Sequence, residues 1–287
     1  MSVWISGSLP RTLPAAVVPV TVGAALCAGD SGATWWRTVL AMVVSLLLQI
    51  GVNFANDYSD GIRGTDEVRV GPQRLVGGGL ASARAVKAAA FACFGAAAVV
   101  GLVLALTTTL WLVAVGALSI LAGWFYTGGS HPYGYLGLGE VFVFTFFGLV
   151  ATVGTVFVTI ERIPWTAWPL GSAVGALACA LLVTNNLRDI PTDSQVGKRT
   201  LAVRLGDHRT RKFFVLLVVV AFIGALAVGF ERPGVVLTLV AVPFAISPIR
   251  MTLRDAKGRE LIAVLGATSR LQMVFGVTAA VGLLITR

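Results

Sequence analysis

Apolar runs of membrane-crossing length recur from one end of this chain to the other. A helix needs about 20 predominantly apolar residues to cross a hydrocarbon core roughly 30 Å thick. Runs of that kind fall at approximately 11–29, 38–56, 86–106, 109–127, 138–160, 165–187, 212–230, 234–250 and 261–285. Inside lipid every backbone N–H and C=O has to be satisfied within the chain, which leaves helices and closed barrels, and runs this long read as helices. An apolar fraction of 56% against a charged fraction of 12% excludes an ordinary soluble domain. The expectation is an all-α integral membrane protein: one polytopic domain, 1–287, built as a bundle of nine transmembrane helices. The first run is too long and too lightly charged at its start for a cleaved signal peptide, and is kept as a helix.

The net charge of +9 could suggest a nucleic-acid partner, but the placement of the basic residues argues against one. With the N-terminus inside, seventeen of the twenty-two Lys and Arg residues fall in cytoplasmic segments. Four (Arg37, Arg162, Arg232, Arg287) fall outside, and Arg270 lies within the last run. That asymmetry is the positive-inside pattern, so the excess charge reports topology. It predicts a multi-pass cell-membrane protein with its N-terminus and its long charged loops in the cytoplasm. Cys27, Cys93 and Cys179 all lie within the runs and share no metal-ligand spacing, so they read as small packing residues.

One charged stretch stands directly against the second run: "NFANDYSDGIRGTDEVRVGPQRLVGGG", residues 53–79. After the sixth run comes "NNLRDIPTDSQVGKRTLAV". Both open on paired polar residues at a helix end, pass through acids three or four apart, and close on Val-Gly, basic residues and a Leu. Four runs separate them, so both face the same side, and a parallel repeat of about 11–137 and 138–259 is expected. The two aspartate-rich segments are read as cytoplasmic loops.

On a helix, Asn53, Asn56, Asp57 and Asp60 would share one face, and Asn186, Asp189 and Asp193 repeat the spacing. Pro191, between the two later aspartates, argues against a continuous helix there, so those acids are expected to converge through a turn. Solvated surface is the bland reading for any single acid. Two matching clusters at equivalent depth weigh against it, because ionisable groups at a membrane boundary are costly and usually functional. Clustered carboxylates repel one another unless a cation neutralises them, and Mg²⁺ is usually held by one or two carboxylates together with waters and phosphate oxygens. Arg69, Arg74, Lys198 and Arg199 beside the acids would serve no purpose at a bare cation site, but they suit an anion. Acids for metal and bases for anion point to a diphosphate, and the surrounding apolar helices point to a lipid tail on it. A departing pyrophosphate and an allylic cation in a dry site amount to prenyl transfer.

With those residues in view, "NDYSD" and "NNLRDIPTD" resemble the two aspartate-rich motifs of the membrane-bound UbiA-type prenyltransferase superfamily. The longer strings "DYSDGIRGTDEVRVGPQRLVGGG", "YTGGSHPYGYLGLGEVFVFTFFG" and "NNLRDIPTDSQVGKRTLAVRLG" resemble its branch acting on 1,4-dihydroxy-2-naphthoate in menaquinone synthesis. The resemblance implies a Mg²⁺-dependent transfer of a long polyprenyl group from polyprenyl diphosphate to that acid. CO₂ and pyrophosphate would leave and demethylmenaquinone would form. It also implies Asn56, Asp57 and Asp60 as the first metal cluster and Asn186, Asp189 and Asp193 as the second. The superfamily pattern has a third Asp four residues after Asp60, where this chain has Gly64. Asp66 follows two residues later, as in the naphthoate branch, and is a further candidate metal ligand.

Tyr126, Tyr133 and Tyr135 flank a loop that carries no Lys or Arg. Tyrosines at a membrane interface are ordinary, but Tyr126 ends a run on the aspartate side and is the candidate to stabilise an allylic cation. Glu140 opens the fifth run and can complement its helix dipole. His131 and His208 stand alone in loops. Arg270 at membrane depth either snorkels or faces a partner anion, and the choice stays open. Two other readings remain. A sister prenyltransferase would use another aromatic acceptor. A cation or phosphate transporter would need polar residues through the span midplanes, where the third, fifth and seventh runs carry nothing stronger than Thr.

Overall fold

A computed structural model describes residues 3–64 and 74–286. Among them the chain is helical, in the order α1 (Val3–Gly7), α2 (Pro14–Leu26), α3 (Trp35–Ile62), α4 (Ala83–Thr107) and α5 (Trp111–Phe125). There follow α6 (Gly139–Val143), α7 (Ala151–Ile160), α8 (Ala167–Gln195), α9 (Leu201–Leu205), α10 (Asp207–Leu226), α11 (Val242–Leu253) and α12 (Glu260–Ile285). A π-helical stretch, Phe144–Val150, joins α6 to α7, and a 3₁₀ segment, Pro233–Ala241, leads into α11. Six helical segments are long and apolar enough to cross a membrane, or seven if the pair bent by 53° before α2 counts as one. This is a multi-pass membrane protein. Of the other expected runs, 109–127 forms a helix of only 15 residues, and 212–230 belongs to a helix that starts earlier, at the charged turn Asp207–Lys212.

Large apolar side chains lie on the outside of the bundle, among them Val39, Leu106, Leu110 and Phe230. Lipid is the solvent these residues fit. Half-exposed Trp35, Trp36, Trp165 and Trp168 and the more exposed Trp111 stand at helix ends opposite the aspartates, where amphipathic rings favour the headgroup layer. The centre is α8. Its apolar window is 78% buried, against 28% for α3 and α4, and it packs on α10, α12 and the π-helical stretch. Backbone contact makes the last of these possible. A Cβ on Gly148 would stand 2.6 Å from the Gly175 Cα, so only glycines admit this approach. A second, smaller core gathers Phe54, Leu75, Val86 and Phe94 between α3 and α4.

Two expectations need correction. The aspartates do not sit in loops: α3 runs on to Ile62 and α8 to Gln195, so both clusters occupy the closing turns of helices. In α3 nothing before Gly61 breaks the helix, and the polar side chains find partners in neighbouring segments. In α8 the helix is continuous through Pro191. Pro191 has no N–H for the Leu187 carbonyl, but side-chain hydroxyls support the turns around it. Thr192 Oγ1 donates to the Asp189 carbonyl at 3.0 Å, and Ser194 Oγ donates to the Ile190 carbonyl at 2.6 Å.

Candidate active site

Asn53, Asn56, Asp57 and Asp60 recur at helical spacing on α3, and each meets a different neighbour. Asn53 ties down the N-terminal segment, donating to the Ser8 carbonyl (2.7 Å) and to Thr12 Oγ1 (3.0 Å). Asn56 accepts from Thr127 Oγ1 at 2.8 Å. Asp57 is fully buried, and its two oxygens accept from the backbone N–H groups of Leu75 (2.8 Å) and Val76 (2.9 Å). Its carboxylate therefore anchors the backbone at residues 75 and 76, with Arg74 immediately before the anchored pair. Asp60 accepts from the Tyr135 hydroxyl at 3.1 Å. Asp66 and Arg69 lie outside the described residues.

The second cluster hangs from α8. Asn186 donates to Glu140 Oε1 at 3.0 Å. Arg188 grips Asp189 with two parallel bonds, 2.6 and 2.7 Å. Asp193 faces the Lys198 ammonium at 3.5 Å. Among the described residues Glu140 Oε2 and Asp193 Oδ2 are buried without a hydrogen-bond partner. Arg199 is exposed, and its backbone N–H donates to the Tyr135 carbonyl at 3.1 Å.

Tyr135 links the two clusters. Beyond its bond to Asp60, the Arg63 guanidinium and the Lys198 ammonium each sit 5.2 Å from its ring centroid. Burial pushes its phenol above the usual range and the Asp60 charge adds to the effect, outweighing the two cations. The phenol therefore keeps its proton and serves as a donor. Arg63 also donates to the Thr127 and Gly129 carbonyls, holding the loop that carries Tyr133 and Tyr135.

These groups open on a cavity of about 1140 Å³. At one end it is lined by Asn56, Asp60, Arg74, Asn186, Arg188, Asp189 and Lys198. Towards the other it is lined by Val44, Leu112, Val115, Phe147, Val150 and Val158. From Tyr126 to Leu112 along α5 is about 21 Å at 1.5 Å per residue. Between the two ends runs an aromatic wall. Tyr126 meets Tyr133 edge-on, Tyr133 stacks on Phe142 at 3.9 Å, and Phe142 stacks on Phe146. All four rings line the cavity.

Of the candidates read from sequence, Asn56, Asp60, Arg74, Tyr126, Asn186, Asp189 and Lys198 are brought together around one space. Asp193 stands behind Lys198, Asp57 is engaged with backbone, and Arg199 does not line the cavity. Sequence reasoning passed over Tyr135 in favour of Tyr126, and took Arg188 only as a topology charge. An Arg next to an Asp at a cluster was the available signal for Arg188. Tyr135 had none, because its partners are 63 residues ahead and 75 behind. Among the described residues no three His, Cys, Asp or Glu side chains group as a metal site. The fit of a divalent cation rests instead on hard oxygens. Asp60 and Asp189 line one cavity together with Asn56 and Asn186, and among the described residues Asp193 Oδ2 has no hydrogen-bond partner. That set suits Mg²⁺, which takes few protein carboxylates and completes its shell with waters and phosphate.

The sequence model of the UbiA prenyltransferase family matches residues 16–282. A 1,4-dihydroxy-2-naphthoate octaprenyltransferase of Mycobacterium tuberculosis is 49% identical, covering 96% of this chain and 95% of that one. One from Mycobacterium leprae is 47% identical over 96% and 94%. One from Escherichia coli is 36% identical over 75% and 72%. Among solved structures, an apo UbiA homolog from Aeropyrum pernix superposes with a TM-score of 0.70 at 17% identity, covering 98% of both chains. A UbiA homolog from Archaeoglobus fulgidus bound to GPP and Mg²⁺ gives 0.69 at 16% identity, over 98% and 99%. At these identities the structures show a shared fold.

Proposed function

We propose that this chain, which belongs to the UbiA prenyltransferase family, transfers a long polyprenyl group from its diphosphate to 1,4-dihydroxy-2-naphthoate. Pyrophosphate and CO₂ leave, and the product is demethylmenaquinone. The acceptor follows from near-full-length similarity to relatives named for it, whose names give octaprenyl as the transferred group. One observation carries the chemistry: a single cavity has carboxylates and cations at one end and a long apolar bore at the other. An amphiphile with a highly charged head and a hydrocarbon tail fits no other way round.

The diphosphate lies at the polar end, where Arg74, Arg188 and Lys198 offer N–H donors to its oxygens. Arg69 joins them by its place in the sequence. Mg²⁺ would be held by Asn56 and Asp60 from α3 and by Asn186, Asp189 and Asp193 from α8, with Asp66 a further candidate. Bound there, the ion supplies Lewis-acid neutralisation of the charge that develops on pyrophosphate. Tyr135 keeps Asp60 oriented through its hydroxyl and screens Lys198 with its ring. Tyr126 and Tyr133 face the first isoprene unit, where an aromatic π-surface stabilises an allylic cation. The apolar lining excludes water that would quench it. Asp57 contributes indirectly, by setting the backbone on which Arg74 stands.

The chain is placed in the cell membrane with its N-terminus and this polar end in the cytoplasm, because the basic residues concentrate on that side. Nine crossings are assigned by adding the bent pair, α5 and α10 to the six long spans. Membranes containing the chain, incubated with labelled octaprenyl diphosphate, Mg²⁺ and a panel of aromatic acceptors, should form product with 1,4-dihydroxy-2-naphthoate. Product with a different acceptor alone would remove the assignment.

A further inference from the structure

A second, smaller crevice opens beside the active-site cavity, about 580 Å³ in volume. Its walls are Arg11, Arg259 and Arg270 together with Ile262, Ala263 and Gly266 of α12 and their neighbour Ala267. Arg11 approaches α12 across a short span, since Ser269 Oγ donates to the Arg11 carbonyl at 3.0 Å. All three arginines are exposed, and among the described residues none of the three guanidinium groups is in an ion pair or hydrogen bond. Among the described residues no acid lines the crevice. Three like charges around one crevice give it a positive field, and an anion is the ligand that field favours.

The shape narrows the choice of anion. Arg259 and Arg270 are about 16 Å apart along the α12 axis, at 1.5 Å per residue. Arg259 at the N-cap of α12 and Arg270 about three turns on are thus spaced along the helix direction, over a floor of small and apolar residues. A Cβ on Gly266 would meet nothing within 4 Å, so the floor is open. Among the described residues the crevice has no aromatic ring to stack on a naphthoate and no carboxylate to share a metal with a diphosphate. An amphiphile lying parallel to the helix, phosphate among the guanidinium groups and acyl chain on the Ile262 face, matches both the charge and the lining.

We propose that this crevice binds the phosphate of an acidic phospholipid. Arg11 and Arg259 also line the active-site cavity. A lipid phosphate held there fixes two cations at the edge of that cavity, so turnover rises with the acidic lipid content of the bilayer. Binding is independent of the prenyl-transfer reading. Only the effect on turnover rests on it.

The test uses the full chain in nanodiscs of phosphatidylcholine with and without phosphatidylglycerol, comparing wild type with Arg270→Gln. Arg270 lines the crevice and not the cavity. Native mass spectrometry should show wild type retaining phosphatidylglycerol over phosphatidylcholine. Arg270→Gln should lose about fivefold of that preference, the contribution of one Arg beside an anionic headgroup. Arg270→Lys should keep most of it. Turnover of the two proteins should agree in neutral discs, with a rise on adding phosphatidylglycerol in wild type alone. Equal lipid retention by wild type and Arg270→Gln would overturn the proposal. So would a raised KM for the aromatic acceptor in neutral discs, which would assign the crevice to the acceptor carboxylate. A wild type that retains the acidic lipid but transfers no prenyl group would sink the functional reading and leave this one standing.

Discussion

Replacing Asp57 by alanine separates two roles that its position in the motif confounds. The carboxylate is fully buried and accepts from the Leu75 and Val76 N–H groups at 2.8 and 2.9 Å. A hydrogen bond to a charged group contributes about 1.5–3 kcal/mol net, so the pair is worth roughly 3–6 kcal/mol to the anchored segment. Asp57→Ala also strands two N–H groups beside Leu75, which is 1% exposed. Asp57→Asn keeps one acceptor oxygen and turns a donor towards the other N–H, for a loss of roughly half as much. The cost falls on local opening of residues 74–76 more than on the whole fold, whose helices pack elsewhere. Limited trypsin digestion should therefore cut at Arg74 far faster in both variants, with alanine the worse. The KM for the prenyl donor should rise while the Mg²⁺ concentration for half-maximal activity changes little. Losing a true metal ligand or its direct support typically costs 10–100-fold in metal affinity. An Asp57→Asn protein with unchanged proteolysis and a Mg²⁺ requirement raised by about tenfold would refute the anchor and restore Asp57 as a ligand.

Asp60→Asn and Asp189→Asn should abolish turnover, because both line the cavity; activity retained in both would end the metal-site reading. Asp60→Asn should melt close to wild type, whereas Asp189→Asn removes the counter-charge of buried Arg188 and should melt lower. Arg74→Ala and Lys198→Ala should raise donor KM by about tenfold or more, the worth of a charged hydrogen bond, and leave acceptor KM nearly unchanged in steady-state kinetics. Tyr135 titrates above the ordinary phenol range, since burial and Asp60 both favour its neutral form. Its hydrogen bond to Asp60 is thus present at and below neutral pH and is lost only as pH rises through that elevated value. No activity step from Tyr135 is expected near pH 10 in a pH–rate profile, whereas Tyr135→Phe should lower kcat across the whole range. Gly175→Val should destabilise by about 1–3 kcal/mol or more, since its Cβ would stand 3.0 Å from the Gly148 Cα; a thermal-shift assay reads it directly.

Membrane class, helix positions and the polar clusters are legible in the sequence alone, because each depends on local pattern. A run of apolar residues in lipid has one backbone solution, and carboxylates at a helix end announce their cost wherever the rest of the chain goes. The expected break at Pro191 failed because local propensity counts the missing N–H and not the hydroxyls of Thr192 and Ser194 that support the neighbouring carbonyls. The placing of the aspartates in loops failed for a related reason. Hydropathy ends a span where polarity begins, while a helix continues as long as its polar side chains are satisfied by other segments.

Spacing gave Asn56, Asp57 and Asp60 one common face if helical, and Asn186, Asp189 and Asp193 the same spacing; the structure put both sets on the closing turns of helices. Only packing distinguished among them. Asp57 turned to the backbone of residues 75 and 76, and Asp60 and Asp189 turned to a common cavity. Tyr135 became the link between the clusters, with partners on both sides of it in the chain. Those outcomes depend on which distant N–H, hydroxyl or cation reaches a carboxylate first. Helical period says which side chains share a face, but the bundle decides what that face meets.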